Sequence, residues 1–238
     1  MLSEPRTINY LSELIHVPIS VQVENLRLAY SKLCEKEGYE NFIRTADGCR
    51  IEAGRIEGQV PDKNSLQGEQ LSSLTFKKDR IQIVEENNRM SLEQYRSRVE
   101  SVAQVATEVL KVPLFLVHQT TVRAITTPNC YKSAGEFLSD NLFKIQASEI
   151  QPLGRPTSVV GLRLLFPPTQ NEPSKFNVRV ETYLKEPRSL YLENVATFQQ
   201  PTPAQSLSLL GEHVEKAANF VSNNLWTFLT QYDIPKQP

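Results

Sequence analysis

The side chains closest in sequence that could together bind a ligand are His118, Gln119 and Arg123. They lie in a run of strand-like residues, and side chains in a strand alternate between its two faces. This alternation predicts Gln119 and Arg123 on one face of the strand and His118 on the other. We interpret the group as a polar ligand-binding surface beside a sheet. The alternative is a strand with one solvated face and one histidine that is satisfied in the core.

Metal and disulfide chemistry is not indicated by the remaining candidate ligands. The chain has three cysteines and three histidines, at widely separated positions: Cys34, Cys49, Cys130, His16, His118 and His213. There is no Cys-x-x-Cys pair, no His-Glu-x-x-His pair and no carboxylate-rich loop of the calcium-binding type. The odd number of cysteines and their spacing predict reduced thiols rather than a disulfide framework. The sequence therefore predicts no metal site.

The nucleotide-binding and nucleophile motifs are also missing. No Walker loop and no Gly-x-Ser-x-Gly motif occurs, and the chain has only nine glycines to form a phosphate-binding loop. We predict no catalytic residue and no cofactor. An enzyme whose site is assembled from scattered residues, with His118 and Arg123 as its candidates, remains an alternative.

Composition favours a soluble protein with little attraction to nucleic acid. The 238 residues are 39% hydrophobic and 22% charged, and the formal net charge is −1. A charge so near zero gives no long-range attraction to nucleic acid or acidic lipid. No stretch has the apolar length of a membrane span, and the N-terminus resembles no secretory signal. The sequence predicts a cytoplasmic location.

Two blocks of the sequence share one layout, in which strand-like sequence, a polar turn, a helix start signal and a long amphipathic helix follow each other. The first block runs from about Leu74 to Lys111, and the second from about Phe176 to Gln231. This layout predicts an α+β fold, with mostly antiparallel strands and long helices packed on one face of the sheet. We interpret it as an internal duplication that gives two related halves, residues 1–116 and 117–238, or one continuous domain.

In the first half, the pattern predicts a weak helix over residues 1–17 and a strand or strand–helix junction over Ile19–Leu28. A hairpin over Phe42–Ile56 is indicated by Asp47-Gly48, because glycine readily takes the positive φ of tight turns. A loop over Gly58–Ser73 and strands over Leu74–Glu86 follow. Ser91 and Gln94 form a capping box that begins a long helix.

In the second half, a long strand over Leu114–Pro128 is predicted to cross the middle of the sheet. A hairpin is predicted between Phe176–Lys185 and Ser189–Phe198. A second long helix is predicted to begin at Thr202, with Pro203 in the first helical position and Gln205 completing a capping box.

The last helix of about 28 residues, estimated from its apolar period, is longer than a compact half needs. Its apolar stripe consists of Leu207, Leu210, Val214, Ala217, Val221, Leu225 and Phe228. The distal residues Val221, Leu225 and Phe228 are the predicted partner interface. The alternative is that the stripe is buried against the chain's own sheet.

Several segments of the second half resemble a sporadically distributed prokaryotic family of uncharacterised proteins of similar length. The segments are Val122–Ile125, Glu136–Leu138, Phe176–Glu181, Arg188–Glu193 and the terminal helix. The resemblance covers about half of the chain. It implies the order of elements and a prokaryotic setting, and it implies no activity and no site residue.

The sequence leads us to expect a non-enzymatic interaction or regulatory protein that forms a homodimer or binds a protein partner. The duplicated layout, the long apolar stripe and the missing catalytic motifs support this expectation. A small-molecule binding module, with a cavity between sheet and helix lined by residues such as His118 and Arg123, is the first alternative.

Overall fold

Ten strands form one antiparallel sheet in the computed structural model, which describes residues 1–37, 39–53, 71–86, 90–144, 149, 151–155, 157 and 159–235. The strands are β1 Arg6–His16, β2 Tyr39–Thr45, β3 Gly48–Ala53, β4 Leu71–Lys77, β5 Arg80–Glu86, β6 Leu114–Thr126, β7 Gly161–Phe166, β8 Lys175–Thr182, β9 Leu190–Phe198 and β10 Thr202–Pro203. They lie in the order β2-β3-β4-β5-β1-β6-β9-β8-β7, and β10 pairs with the end of β6. This confirms the predicted α+β class.

The helices pack on one side of this sheet. They are α1 Val23–Glu37, α2 Leu92–Val109, α3 Ala134–Phe137, α4 Ser208–Asn219 and α5 Trp226–Thr230. A π-helical turn follows α3 at Leu138–Phe143, and another joins α4 to α5 at Phe220–Leu225. A short 3-10 turn lies at Gln151–Leu153. We call the covered side of the sheet the helix face and the opposite side the open face.

One hydrophobic core lies between the helix face and the helices. Alternate residues of the strands enter it, such as Leu14 of β1, Ile83 of β5 and Val178 of β8. The apolar face of α2, the amphipathic helix of the first block, is also buried there. Its residues include Tyr95, Val99, Val102, Ala106 and Val109. The core extends under both predicted halves without interruption.

The centre of the sheet is the antiparallel pair of β1 and β6, in which Ser12 faces Thr120. Each of these strands begins the same order of elements, with a helix, a set of consecutive strands and a long helix after it. The predicted boundary between residues 116 and 117 falls inside β6, since this strand runs from Leu114 to Thr126. The prediction that β6 crosses the middle of the sheet is confirmed.

The N-terminal prediction was wrong, because residues 6–16 form the central strand β1 and not a helix. Pairing on both edges with β5 and β6 satisfies its backbone groups, and this outweighs a weak helical spacing of apolar residues. The next segment contains the helix α1, which covers most of the residues 19–28 where the sequence predicted a strand or a strand–helix junction.

The hairpin of β2 and β3 is confirmed, but the reason for its glycine differs from the predicted one. The turn lies at Ala46 and Asp47, and Gly48 is the first residue of β3. A Cβ on Gly48 would lie 1.8 Å from the carbonyl oxygen of Phe76 in β4. Glycine is needed here for the close approach of two strands and not for a positive φ. The predicted loop after Gly58 lies outside the described residues as far as position 70.

The two predicted capping boxes had different outcomes. At α2 the box is present, because Ser91 accepts from the Gln94 amide and the Gln94 side chain accepts from the Ser91 amide. The second prediction was wrong, because Thr202 and Pro203 form the short strand β10 against Phe115 and Leu114. The last helix begins six residues later, at Ser208, without a side-chain cap.

Candidate functional site

The three residues predicted to bind a ligand lie on opposite faces of β6, as the strand alternation indicated. His118 is on the helix face and is buried, with 2% of its surface exposed. Gln119 and Arg123 are on the open face, where they face Glu13 and Asn9 of β1. Gln119 and Arg123 are separated by one further position on that face, Thr121, and His118 points to the other face, so β6 alone does not bring the three residues to one site.

His118 belongs to a buried polar cluster that links β1, β6 and α4. Its Nε2 lies 2.7 Å from Thr120 Oγ1 and 3.2 Å from Ser12 Oγ, and the two hydroxyls are 3.2 Å apart. Its Nδ1 lies 3.3 Å from Nδ1 of His213 on α4. The ring of Phe198 stacks on His213, with centroids 4.0 Å apart and an interplanar angle of 5°.

Both imidazoles in this cluster are held in the neutral form. Burial lowers the pKa of His118 well below its usual value, and a positive charge on His213 would lower it further. Burial and the nearby Lys216 lower the pKa of His213 to about 4. One ring must therefore donate from Nδ1 while the other accepts, and the hydroxyls of Ser12 and Thr120 can complete either arrangement. The cluster is a neutral hydrogen-bond network that fixes α4 to the centre of the sheet.

On the open face, Arg123 is held by a network that joins three strands. Its Nε donates to Glu193 Oε2 at 2.7 Å, and Tyr191 donates to the same oxygen at 2.9 Å. Arg179 lies 3.2 Å from the other oxygen of Glu193. Burial raises the pKa of Glu193, but hydrogen bonds from Arg123 and Tyr191 and the charge of Arg179 lower it overall. Glu193 thus forms an ion pair with each of the two guanidinium groups.

The predicted partner interface on the last helix is for the most part inside the chain's own core. Val221 is 2% exposed and Leu225 is 3% exposed, and both belong to the core under the sheet. Phe228 is half-buried and contacts Tyr232 edge-on, with centroids 5.5 Å apart. For Val221 and Leu225, the structure thus agrees with the alternative interpretation, in which the stripe is buried against the chain's own sheet.

The π-helical turn explains why Leu229 and not Phe228 enters the core. Ala217, Val221, Leu225 and Leu229 are all buried and follow each other at a spacing of four. On an α-helix each such step rotates the side chain by about 40° away from its predecessor. The wider π turn at Phe220–Leu225 compensates for this drift and keeps the four residues on one face.

The same turn borders a groove between the last helix and the β7–β8 hairpin. The groove has a volume of ≈ 680 Å³, within the usual range for ligand sites. Its apolar wall consists of three aromatic rings: Phe176 stacks on Phe220 at 4.8 Å, and Phe166 contacts Phe220 edge-on at 5.4 Å. Its polar lining is Thr169, Glu172, Ser174, Glu212, Glu215, Lys216, Asn219 and Asn224.

Acidic side chains predominate along the rim of the groove. Glu172, on the β7–β8 loop, forms an ion pair with Lys216 of α4. Burial raises the pKa of Glu172, but hydrogen bonds from Lys216 and Ser174 lower it overall. Glu215 forms an ion pair with Arg96 of α2 at 2.9 Å. The third carboxylate, Glu212, is exposed and has no ion pair with the described residues.

The sequence pattern did not indicate this groove, because its residues come from two separate segments, 166–176 and 212–224, that only folding brings together. One local signal was present. Asn219 and Asn224 are polar residues beside the apolar stripe, five positions apart, which on an α-helix would lie on different faces. The π turn brings both to the groove.

In the part of the chain that the structure describes, no cluster of three or more potential metal ligands occurs. No helix in the same ranges has the length and apolar character to cross a membrane. Cys49 is buried, and burial raises its pKa to about 12, so its thiol is protonated at neutral pH.

Comparisons with known proteins give no family for this chain. No protein-family model matches the chain, and no curated protein is significantly similar to it. The resemblance of the second half to a prokaryotic family therefore stays a prediction.

Proposed function

We propose that this chain is a non-enzymatic interaction protein that self-associates through the free edge of β7. The single observation that carries the proposal is the apolar and exposed character of this strand. β7 is the last strand of the sheet, and only β8 pairs with it among the described residues. Leu165 and Phe166 are 58% and 40% exposed. An apolar edge strand with free backbone groups favours pairing with another strand.

The sequence of β7 is complementary to itself in an antiparallel pair. If Leu164 faces Leu164 of a second copy, Leu162 faces Phe166 and Arg163 faces Leu165. This register keeps every leucine and phenylalanine of the helix face on the helix face of the joined sheet. It also keeps the two copies of Arg163 apart. In the alternative register in which Leu162 faces Leu164, the two copies of Arg163 would lie opposite each other.

The other edge of the sheet is less suited to pairing. β2 carries the exposed charges of Glu40 and Arg44, which oppose pairing with a further strand. Its exposed apolar residue is Ile43. We therefore propose the β7 edge, and not the helical stripe predicted from the sequence, as the surface through which the chain self-associates. The cytoplasmic location remains a prediction.

The strength of this association is expected to be modest. A single pair of six-residue strands buries less than the roughly 1,000 Å² that stable interfaces usually exceed. We therefore expect a dimer with a dissociation constant in the micromolar range. Static light scattering as a function of protein concentration measures it directly.

Substitutions at position 165 test both the edge and its register. In the proposed register this side chain faces Arg163 of the second copy, so Leu165→Lys introduces like charges and Leu165→Glu introduces opposite charges. We expect Leu165→Lys to be a folded monomer at concentrations where the wild type and Leu165→Glu are dimers.

The matched control is Leu184→Lys, which adds the same charge at a 69% exposed position after β8. It should leave the dimer intact. A monomeric wild type, or dimers that persist equally in the lysine and glutamate variants at position 165, would contradict the proposal.

A further inference from the structure

We infer that the groove beside the π-helical turn binds an extended peptide in which a basic residue and an apolar residue are separated by one residue. This inference rests on the groove and not on the backbone edge of β7, and the two share one side chain, Phe166. Three features of the groove support it: its aromatic wall, a carboxylate with no ion pair among the described residues, and two carboxamides with no hydrogen-bond partner among them.

The aromatic wall provides the apolar half of the site. Phe176 is buried and stacked on Phe220, so these two rings are fixed in place by the core. Phe166 stands beside them and is 40% exposed. An aliphatic side chain laid against Phe166 and Phe220 would remove this exposed ring surface from water, which is favourable.

The charge of the rim selects a basic ligand. Three carboxylates line the groove, and Lys216 and Arg96 compensate two of them, Glu172 and Glu215. Glu212 remains without an ion pair among the described residues, so the described rim has an excess negative charge. A lysine or arginine side chain of a ligand would complement it, whereas an acidic ligand would be repelled.

The carboxamides of Asn219 and Asn224 favour a peptide over a simple organic cation. Each carboxamide has donor and acceptor atoms and can bond the C=O and the N–H of a peptide backbone. The π turn places both in the groove, and neither side chain has a hydrogen-bond partner in the described ranges. π-helical turns occur frequently at functional sites, since they rearrange side chains that an α-helix would separate.

The arrangement predicts how the ligand lies. In an extended peptide, side chains two positions apart point to the same side. A basic residue directed to Glu212 and an apolar residue directed to Phe166 and Phe220 would therefore be separated by one residue. The intervening peptide groups would face Asn219 and Asn224.

The test uses a short fluorescein-labelled peptide, acetylated and amidated at its ends, in which lysine and leucine are separated by one serine. Fluorescence anisotropy of this peptide is measured during titration with the full-length protein. We expect saturable binding that weakens as salt is added, because screening reduces the attraction to Glu212. A peptide with glutamate in place of lysine should not bind.

Variants of the groove and its neighbourhood locate the site. Asn224→Ala should weaken binding about three- to tenfold by removing hydrogen bonds, and Glu212→Gln about three- to fivefold by removing an exposed charge pair. Asn223→Ala is the matched control: this exposed neighbour lies on the same turn and does not line the groove. It should bind as the wild type does.

The same titration on the Leu165→Lys protein separates this inference from the proposed self-association. Undiminished peptide binding by that variant is expected, whether or not the wild type is a dimer. Absence of saturable binding, equal binding of the glutamate peptide, equal affinities of the Asn224→Ala and Asn223→Ala proteins, or displacement of the peptide by free spermidine at equal concentration would overturn the inference.

Discussion

The protons of the buried His118–His213 pair determine which hydrogen bonds hold α4 to the sheet. In the neutral state either ring can donate to the other, and Ser12 and Thr120 adjust to the choice. If either ring were doubly protonated, its Nδ1–H could no longer accept, and protons on both Nδ1 atoms would place two donors against each other at 3.3 Å. The pair therefore acts as a structural contact at neutral pH and becomes a source of instability in acid.

We predict that the free energy of unfolding decreases as the pH falls from about 6.5, the ordinary pKa of histidine, towards about 4, the pKa of folded His213. In this range the unfolded chain binds protons that the folded protein excludes, so acid favours unfolding. His213→Gln should lose about 1–2 kcal/mol at neutral pH, because a buried partner is removed, and should then depend less on pH. Urea unfolding across this pH range measures both effects.

Carboxylates such as Glu193, whose pKa is lowered, contribute to the pH dependence below this range in both proteins. They provide an internal control, because His213→Gln leaves them unchanged. Parallel stability curves for the wild type and the variant would show that the histidine pair does not titrate as described.

At the scale of elements, the contacts between elements decide which local signals take effect. The capping box of Ser91 begins α2 as the sequence indicates: within the described ranges, the Ser91 and Gln94 side chains bond only to each other's amides. The equally plausible box at Thr202 is not used, because the end of β6 offers this segment backbone partners. Local signals thus hold where the chain has a single set of partners.

Gly48 provides a test of such an element contact. Gly48→Ala places a methyl group 1.8 Å from the carbonyl oxygen of Phe76, so β3 and β4 must separate, and we expect a loss of about 1–3 kcal/mol. Gly135→Ala in α3 is the control, because its methyl group would meet nothing nearer than 3.7 Å. It should be neutral or should stabilise by about 0.5–1 kcal/mol, as alanine favours helix. The thermal unfolding midpoints of the two variants, compared with that of the wild type, measure these effects. Equal changes in the two midpoints would contradict the close approach of β3 and β4 as the reason for Gly48.

At the scale of the whole molecule, the two predicted halves share one sheet and one core. β1 pairs with β6 along almost its whole length, from Arg6 to His16. The single tryptophan, Trp226 in the last helix, donates a hydrogen bond to the carbonyl oxygen of Ser3 near the other end of the chain. We therefore expect the chain to unfold as one cooperative unit.

A substitution far from Trp226 tests this cooperativity. Ile51→Ala in β3 removes a fully buried side chain from the first half and should cost about 2–5 kcal/mol. If the halves unfold together, Trp226 fluorescence and far-UV circular dichroism shift by the same amount in urea. Leu184→Ala, at an exposed position, should shift neither signal. A Trp226 transition that stays at its wild-type midpoint in Ile51→Ala would show two independent units.

The sequence by itself determined the class of the fold and several of its elements. The hairpin of β8 and β9, the long strand β6 and the stripe of α2 were all predictable, because alternation and helical period are local properties of the chain. The faces of His118 and Arg123 followed from the same alternation. Their partners, His213 and Glu193, did not, because they are 95 and 70 positions away.

The tertiary structure alone decided the fate of segments whose local signals were weak or had competitors. Residues 6–16 became the central strand because β5 and β6 pair with both of its edges. The π turn exists where the last helix must keep four buried residues on one face, and it brings Asn219 and Asn224 to the groove. Such outcomes depend on contacts between residues that are distant in sequence. The free energy of these contacts exceeds the small free-energy differences that local helix and strand propensities contribute.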